Sequence, residues 1–322
     1  MQTSLIMQVL GVAESAAIAA AAYNGRGDKH AADQAATEAM RQALNDIDFS
    51  GRVVIGEGER DEAPMLFIGE EVGRGGVDID IAVDPLEGTN LCAYNRPNAL
   101  ATIAIAPKGS LLFAPDTYML KVAAGPQSVG HVHIDAPPAQ NVRAVADALG
   151  KPIPEVNVCI LLRDRHRELI AAVRETGARI RLIDDGDVFG AIATAVPETG
   201  IDLYLGSGGA PEGVLAAAGL KAIGGAFMGR LAFDLDPHGV EKRERAEQTA
   251  AIDLDAPLTI DTLVSSDDAA FIACGVTDGE MLSGVSHVGG STTTHSIIMS
   301  SADKTVRFVK TIRRGKTGTI RF

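Results

Sequence analysis

The stretch VNVCILLRDRHRELIAAVRETGARIRLIDDGDVFGAIATAVPETGIDLYLGSGGAPEGVLAAAG, residues 156–219, alternates short apolar runs with longer amphipathic runs. The short runs are typical of buried strands, and the longer runs repeat apolar residues with a helical period. In chain order they predict VNVCILL (strand), RHRELIAAVRETG (helix), RIRLID (strand), DVFGAIATAV (helix), IDLYLG (strand) and APEGVLAAAG (helix). This alternation indicates βαβ units and an α/β fold.

The chain before this stretch has a different organisation. Two helical patterns, roughly 4–23 and 29–46, precede a strand, GRVVIG, a helix, DEAPMLFIGEEVG, and further strands, DIDIAVD, ALATIAIAP and SVGHVHI. Because 322 residues exceed the usual size of one domain, we expect an α+β N-terminal lobe over 1–135 and a C-terminal α/β lobe over 136–322. The tail after about residue 252 predicts more strands, which could pack back on either lobe.

Charge and cysteine content disfavour several classes of protein. The 29 basic and 42 acidic residues give a formal net charge of −13, which disfavours nucleic acid or an anionic membrane surface as a partner. Three cysteines without a CxxC pair predict neither a disulfide framework nor a thiolate zinc site, and Cys92 is interpreted as a small buried hydrophobe. Gln8 and Glu14 interrupt the apolar N-terminus, which predicts a packed helix and no signal peptide. We expect a cytoplasmic protein without a membrane span.

Residues 84–90, DPLEGTN, place two carboxylates and a hydroxyl on one tight turn. Asp84 ends a strand, the following proline fixes the backbone, and Glu87 can point back to the same locus, with a leucine carbonyl between them. Such oxygens are the donors that Mg²⁺ or Mn²⁺ prefers, and clustered acids without a cation would repel each other. A helix beginning near Gly88 would add backbone N–H groups and the Thr89 hydroxyl, which suit a phosphate.

Two further acidic motifs have both a functional and a structural interpretation. Asp33 lies on the apolar stripe of the second helical pattern, where a carboxylate needs a partner; the alternative is a surface acid paired with Lys29. Glu57 and Glu59 follow the strand GRVVIG between glycines, where loops outside strand ends commonly form sites; the alternative is a polar turn. The sequence pattern leaves both alternatives open.

Five motifs in order, GRGDKHAADQAA, GEGERDEAPML, DPLEGTN, LIDDGDV and GSGGAPEGV, resemble those of class II fructose-1,6-bisphosphatases of the GlpX type. DPLEGTN is also similar to the signature of the wider superfamily of lithium-sensitive, metal-dependent phosphomonoesterases. The resemblance covers essentially the whole chain. It implies a layered αβαβα sugar-phosphatase fold, Mg²⁺ or Mn²⁺ as cofactor, a homo-oligomer (dimer or tetramer), and a place in gluconeogenesis or Calvin-type sugar phosphate metabolism.

The resemblance also implies roles for the residues that match the family motifs. The metal ligands would be Asp33, Glu57, Asp84, Glu87 and Glu212. Thr89 would polarise the attacking water, and Asp33 and Glu57 would share in catalysis. The substrate-binding residues would be Lys29, Glu87, Gly88, Thr89, Tyr118, Arg163, Asp164, Arg165, Asp185, Gly186, Asp187 and Gly209. Of these, Arg163 and Arg165 would take the distal phosphate, which suits the planar fork of a guanidinium.

The implied reaction is hydrolysis of the 1-phosphate of fructose 1,6-bisphosphate by in-line attack of a metal-activated water. The rival substrates are sedoheptulose 1,7-bisphosphate and inositol monophosphates, and paired arginines favour two phosphates over one. The alternative from another class is a sugar-phosphate-binding regulator without turnover. The complete set of acids together with Thr89 favours the enzyme.

Overall fold

The computed structural model describes residues 1–58, 65–249 and 252–314. Its helices there are α1 (Thr3–Ala21), α2 (Lys29–Leu44), α3 (Thr89–Ala93), α4 (Pro138–Leu149), α5 (Arg167–Glu175), α6 (Asp187–Ala193), α7 (Ala210–Ile223), α8 (Gly239–Thr249) and α9 (Ile260–Leu263). Its strands are β1 (Ser50–Ile55), β2 (Glu71–Val72), β3 (Asp78–Glu87), β4 (Leu100–Pro107), β5 (Tyr118–Ala124), β6 (Asn157–Leu161), β7 (Arg179–Ile183), β8 (Leu203–Gly209), β9 (Ala226–Leu231), β10 (Leu258–Thr259), β11 (Ala270–Gly275), β12 (Ser286–Val288), β13 (Ser291–Ser300) and β14 (Thr305–Arg314). These elements form two compact units, one of Met1–Lys108 with the described residues from Asp268 onward, the other of Gly109–Asp267.

The first unit is built around a sheet in the order β12-β13-β11-β4-β3-β1-β2, with β14 paired to β13. β1 and β3 are parallel, and β4 is antiparallel to β3. Ile79, Ile81 and Val83 alternate along β3 and form one apolar cluster with side chains of α1 and α2, including Met40 and Leu44. The alternation of DIDIAVD therefore directs its aliphatic residues toward the two N-terminal helices.

Helix α1 is long and apolar enough to cross a membrane by length and composition, and it is the one helix of the described residues that passes this test. Ten of its 19 residues are buried within the protein. Its buried Glu14 accepts a hydrogen bond from Thr294 Oγ1 (2.9 Å) and pairs with Arg313. These contacts are those of a core helix, as the sequence predicts.

The three cysteines are free, buried thiols. The thiol of Cys92 lies 3.0 Å from Asn24 Oδ1, and burial raises the pKa of Cys92 to about 11. The interpretation of Cys92 as a small buried residue is confirmed.

The second unit contains a sheet in the order β10-β9-β5-β8-β6-β7. β6, β7 and β8 are parallel, whereas β5 is antiparallel to β8 and β9. On one face, Val158 and Ile160 of β6 pack against side chains of α4 and α5. On the other face, α6 lies against Tyr204 of β8, and α7 lies against Met119 of β5. Helices therefore cover both faces, and the predicted α/β fold is confirmed.

The division between the units differs from the predicted lobes 1–135 and 136–322. The boundary expected near residue 135 lies inside the second unit, because β5 pairs with β8 and β9 of the second sheet. The chain enters this unit at Gly109 and leaves it after Asp267. Of the strands in the tail, β10 pairs with β9 of the second sheet, and β11 to β14 join the first sheet through the pairing of β11 with β4.

The strand predicted for SVGHVHI, residues 128–134, is wrong, because this segment forms turns. Gly130 adopts a φ of 78°, which interrupts an extended backbone. The backbone N–H and C=O of His133 each bond the side chain of Asn141 at 2.9 Å. The side-chain amide of Asn141 thus provides the hydrogen bonds that a neighbouring strand would otherwise provide to the backbone of His133.

The helix predicted for DEAPMLFIGEEVG is also wrong over its described part. Its first four residues lie outside the described residues, and residues 65–73 form turns and the short strand β2. Leu66 and Gly69 adopt φ angles of 51° and 90°, which no α-helix contains.

Candidate active site

The parallel strands β6, β7 and β8 end at one edge of the second sheet, where ligand sites form in open α/β sheets. Tyr118, at the start of the antiparallel β5, pairs with Gly209 and so lies at the same edge. The other predicted residues of this unit lie at the end of these strands or just beyond: Arg163, Asp164, Arg165, Asp185, Gly186, Asp187, Gly209 and Glu212. The second unit therefore gathers its predicted site residues at a single edge.

Arg165 is an exposed residue whose guanidinium is held on two sides. Its guanidinium carbon lies 4.7 Å from the centroid of the Tyr118 ring, a cation–π contact. Its Nε donates to Ser207 Oγ (2.8 Å), and its Nη2 donates to the Ser207 carbonyl (2.8 Å). Ser207 thus uses two of the five N–H donors of this guanidinium.

Arg163 differs from Arg165 because it is engaged by the loop after β7. Its Nη2 donates to Asp185 Oδ1 (3.1 Å), and its Nη1 donates to the carbonyl of Asp184. The exposed Asp164 accepts a hydrogen bond from a nearby arginine at 2.8 Å. With its charge balanced by Asp185, Arg163 orders this loop, and Arg165 is the better candidate to bind an anion.

A buried ionic cluster in this unit consists of Lys121, Asp187 and Glu212. Lys121 is 1% exposed and Asp187 6% exposed, and the Lys121 Nζ pairs with Asp187 Oδ2. Burial, followed by the charge of Asp187, raises the pKa of Glu212, an effect that Lys121 opposes. Two carboxylates thus face one ammonium, and in their ionised forms they leave a negative charge that a bound cation would balance.

Two glycines at the end of β8 make room for these carboxylates. A Cβ added to Gly208 would lie 1.8 Å from Asp187 Oδ2, and a Cβ added to Gly209 would lie 1.9 Å from Glu212 Oε2. Neither distance is compatible with van der Waals contact. Gly208 and Gly209 are therefore required because the carboxylates of Asp187 and Glu212 occupy the space that a Cβ would need.

Replacing Gly208 with alanine is expected to displace Asp187 from Lys121 and to lower the free energy of unfolding by about 1–3 kcal/mol. The matched control is Gly11→Ala in α1, where an added Cβ meets nothing within 4 Å. The control should be neutral or slightly stabilising, because alanine favours helix over glycine. Chemical denaturation measures both variants, and equal stabilities would contradict the close packing at Gly208.

In the first unit, the predicted acidic turn follows the regular part of β3. The Leu86 N–H donates to Asp84 Oδ1 (3.1 Å), and the pairing of β3 with β4 shifts register between Asp84 and Glu87. Gly88 follows in a left-handed conformation with a φ of 82°, and Thr89 begins α3. The predicted start of a helix near Gly88 is confirmed.

Glu57 follows the strand beside this turn. β1 runs parallel to β3, and Ile55 pairs with Ala82. Glu57 and Asp84 each lie two residues beyond that pair, Glu57 after the end of β1 and Asp84 within β3, and neighbouring strands lie about 4.8 Å apart. The register therefore brings these two predicted ligands to the same edge of the first sheet.

Asp33 lies on α2, which packs against β3 and α3. The later residues of its stripe, Met40 and Leu44, are fully buried, so the predicted helix phase is confirmed. Asp33 itself is half-buried; burial raises its pKa, and His30 opposes this effect. Lys29 is exposed in the first turn of the same helix.

The donor chemistry of the predicted ligands fits a hard divalent cation. All five are carboxylates, and Glu212 Oε2 is a buried acceptor without a hydrogen-bond partner within the part of the chain that the structure describes. No group of three or more His, Cys, Asp or Glu side chains among residues 1–58, 65–249 and 252–314 is arranged to hold a metal ion. Glu59 lies outside the described residues. The metal-ligand set therefore stays a prediction.

Three buried polar residues of this region, Lys121, His166 and Ser207, do not follow from the sequence pattern. Lys121 carries a weak signal, as the one charged residue within the apolar strand YMLKVAA. Ser207 lies in the motif GSGGAPEGV without standing out, and His166 lies in RDRHRE, which resembles the solvated start of a helix.

An α/β fold with arginines and carboxylates at the strand ends is typical of enzymes that act on anionic small molecules. The model of the family described as bacterial fructose-1,6-bisphosphatase, glpX-encoded, matches residues 3–313. The chain belongs to this family, and it is a phosphatase of the hydrolase class.

Curated relatives match along almost their whole length. One from Synechococcus sp. (strain JA-2-3B'a(2-13)) is 45% identical over an alignment of 333 positions, which covers 97% of this chain and 96% of the relative. One from Thermosynechococcus vestitus is 44% identical over 330 aligned positions (95% of this chain and 94% of the relative), and one from Gloeobacter violaceus is 44% identical over 333 aligned positions (97% and 96%). Each is named D-fructose 1,6-bisphosphatase class 2/sedoheptulose 1,7-bisphosphatase.

Proposed function

We propose that this protein hydrolyses the 1-phosphate of fructose 1,6-bisphosphate to fructose 6-phosphate and phosphate, and that sedoheptulose 1,7-bisphosphate is a second substrate. Family membership supports the reaction, and the double name of the relatives supports the second substrate. The observation that carries the proposal is Arg165, an exposed guanidinium that Tyr118 and Ser207 hold at a strand edge. A fixed fork of this kind suits the distal phosphate of a bisphosphate.

The residues of the second unit would bind the sugar and its distal phosphate. Arg165 would donate to the distal phosphate, with Tyr118 stacked beneath it, while Arg163 and Asp164 order the same strand end. Asp185, Gly186 and Asp187 follow the next strand, where carboxylate and backbone groups can bond sugar hydroxyls. Gly209 keeps the end of β8 free of a side chain.

The residues of the first unit would bind the reacting phosphate. Gly88 would bind it through its backbone, and the Thr89 hydroxyl would orient the attacking water in line with the scissile bond. Lys29 would add a positive charge for the phosphates. Thr89 then needs no covalent step, because positioning and charge neutralisation account for most of the catalysis in phosphoryl transfer.

Mg²⁺ or Mn²⁺ would be held by Asp33, Glu57, Asp84, Glu87 and Glu212. When bound, a divalent cation neutralises phosphate charge and lowers the pKa of a bound water. The carboxylates would supply the oxygen donors for it. A cytoplasmic homo-oligomer, dimer or tetramer, acting in gluconeogenesis or Calvin-type metabolism, completes the proposal.

Phosphate release tests this function directly. Purified protein with Mg²⁺ or Mn²⁺ should release phosphate from both bisphosphates, and chelation of the cation should abolish release. Inositol 1-phosphate, which has no distal phosphate, should have a kcat/KM at least about 100-fold lower. If the protein binds fructose 1,6-bisphosphate but releases no phosphate with any cation tested, the proposed enzymatic function is wrong and a sugar-phosphate-binding regulator is favoured.

A further inference from the structure

A chain of hydrogen bonds runs beneath the exposed Arg165. His166 is 4% exposed and Ser207 is 1% exposed, so both are buried in the second unit. His166 Nε2 lies 2.9 Å from Ser207 Oγ, and the Ser207 backbone N–H donates to the same nitrogen at 2.9 Å. Ser207 in turn accepts from Arg165 Nε. A buried histidine is thereby connected to an exposed arginine through one serine.

The obligatory donors in this series of hydrogen bonds fix which atom donates and which accepts in each bond. Because the Ser207 N–H is always a donor, His166 Nε2 acts as an acceptor, and the ring proton lies on Nδ1. Nδ1 then donates to the Leu161 carbonyl, 2.8 Å away. Because Arg165 Nε is always a donor, the Ser207 hydroxyl accepts from it and turns its own proton to His166. The Ser207 hydroxyl thus accepts from Arg165 and donates to His166, and His166 Nε2 accepts from both the hydroxyl and the N–H of Ser207. The neutral imidazole with its proton on Nδ1 satisfies all of these contacts.

The arrangement holds Arg165 in one orientation. Ser207 contacts the guanidinium through both its hydroxyl and its carbonyl, and Tyr118 covers the guanidinium face. A long exposed arginine without such contacts samples many rotamers, and ordering it on binding would cost affinity. Arg163 is held differently: its guanidinium donates to the Asp185 carboxylate and to the carbonyls of Asp184 and Leu162, and this guanidinium donates no hydrogen bond to Ser207 or His166 among the described residues.

We propose that His166 and Ser207 are positioning residues that preorganise Arg165 for the distal phosphate and so determine the preference for bisphosphates over monophosphates. This inference rests on the proposed function, in which Arg165 takes the distal phosphate. The Ser207 hydroxyl acts on the guanidinium, and His166 acts through Ser207.

Kinetics with two substrates test this role. Ser207→Ala is expected to raise KM for fructose 1,6-bisphosphate about 10-fold with kcat changed by less than about twofold. KM for fructose 1-phosphate, which lacks the distal phosphate, should not change. His166→Gln, whose amide oxygen can still accept a hydrogen bond, should raise KM less than His166→Leu. An equal rise for both substrates, or equal effects of the two His166 variants, would overturn the positioning role.

Binding of fructose 6-phosphate, measured by calorimetry, separates this inference from the proposed function because it needs no turnover. Arg165→Ala and Ser207→Ala should each weaken binding about 10-fold, and Ser207→Ala added to Arg165→Ala should weaken it by less than about a further twofold. Ser128→Ala is the control, since Ser128 is a buried serine of the same unit. Weakening by Arg165→Ala but not by Ser207→Ala would refute the inference alone. No weakening by Arg165→Ala would refute the distal-phosphate assignment as well.

Discussion

Replacing Thr89 with valine is expected to lower kcat for fructose 1,6-bisphosphate by about 10²- to 10⁴-fold, with KM changed by less than about threefold. Thr89 is the first residue of α3 and follows Gly88 in its left-handed conformation, so its backbone is fixed by the turn that carries the acids. Valine keeps the branched shape and replaces only the hydroxyl, with a methyl group. If the hydroxyl orients the attacking water, its loss raises the free energy of the transition state and leaves the affinity for the substrate unchanged.

The matched variant is Thr89→Ser, which keeps the hydroxyl and removes the methyl group. It should retain kcat within about tenfold of the wild type, because the group that orients the water is still present. Steady-state phosphate release measures all three proteins, and unfolding midpoints verify that each is folded. A Thr89→Val enzyme with wild-type kcat would remove Thr89 from the mechanism.

The elements of the second unit could be predicted because their signals are local. Val158 and Ile160 lie two positions apart on β6 and face the same apolar cluster. The two-residue period of a strand can therefore be recognised in the sequence. The helix α7 likewise begins directly after the glycine-rich end of β8. Such elements need no knowledge of distant residues to be placed.

The division into units could not be predicted, because it depends on pairing between distant strands. β5 follows the first four strands in the chain, yet its neighbours are β8 and β9. The turn at His133 has a similar cause. Its backbone groups form hydrogen bonds with the side chain of Asn141, and no hydrophobic periodicity in the sequence predicts these hydrogen bonds.

The candidate site shows the same contrast. Asp84, Glu87 and Glu212 lie in motifs whose residue types suggest a metal or phosphate without any structure. Lys121, by contrast, is a polar residue in an apolar strand, and it is tolerated there because Asp187 lies beside it, 66 residues away in the chain. A buried charge is interpretable only once its partner is known.

Replacing Lys121 with methionine is expected to lower the free energy of unfolding by about 3–5 kcal/mol. Lys121 is 1% exposed, and its ammonium is the positive charge that offsets the carboxylates of Asp187 and Glu212. Methionine fills most of the volume of the lysine side chain. The decrease in the free energy of unfolding is therefore caused mainly by the missing charge and only slightly by a change in packing. The variant would leave two acids in a buried setting without their counter-charge.

Lys108→Met provides the surface comparison. Lys108 pairs with Asp78 at 3.8 Å, and both side chains are about 60% exposed, so its loss should change the free energy of unfolding by less than about 1 kcal/mol. Chemical denaturation of both variants gives the comparison. Equal losses would mean that the buried pair at Lys121 has no special contribution to stability.

Adding Glu212→Gln to Lys121→Met should recover part of the lost stability, because the double variant removes one of the two unbalanced charges. The two changes should therefore combine to less than the sum of their separate effects, as expected for groups that interact in one cluster. Additive losses would instead show that Lys121 and Glu212 act independently, and that the pKa of Glu212 is raised by burial and Asp187 without an opposing effect of Lys121.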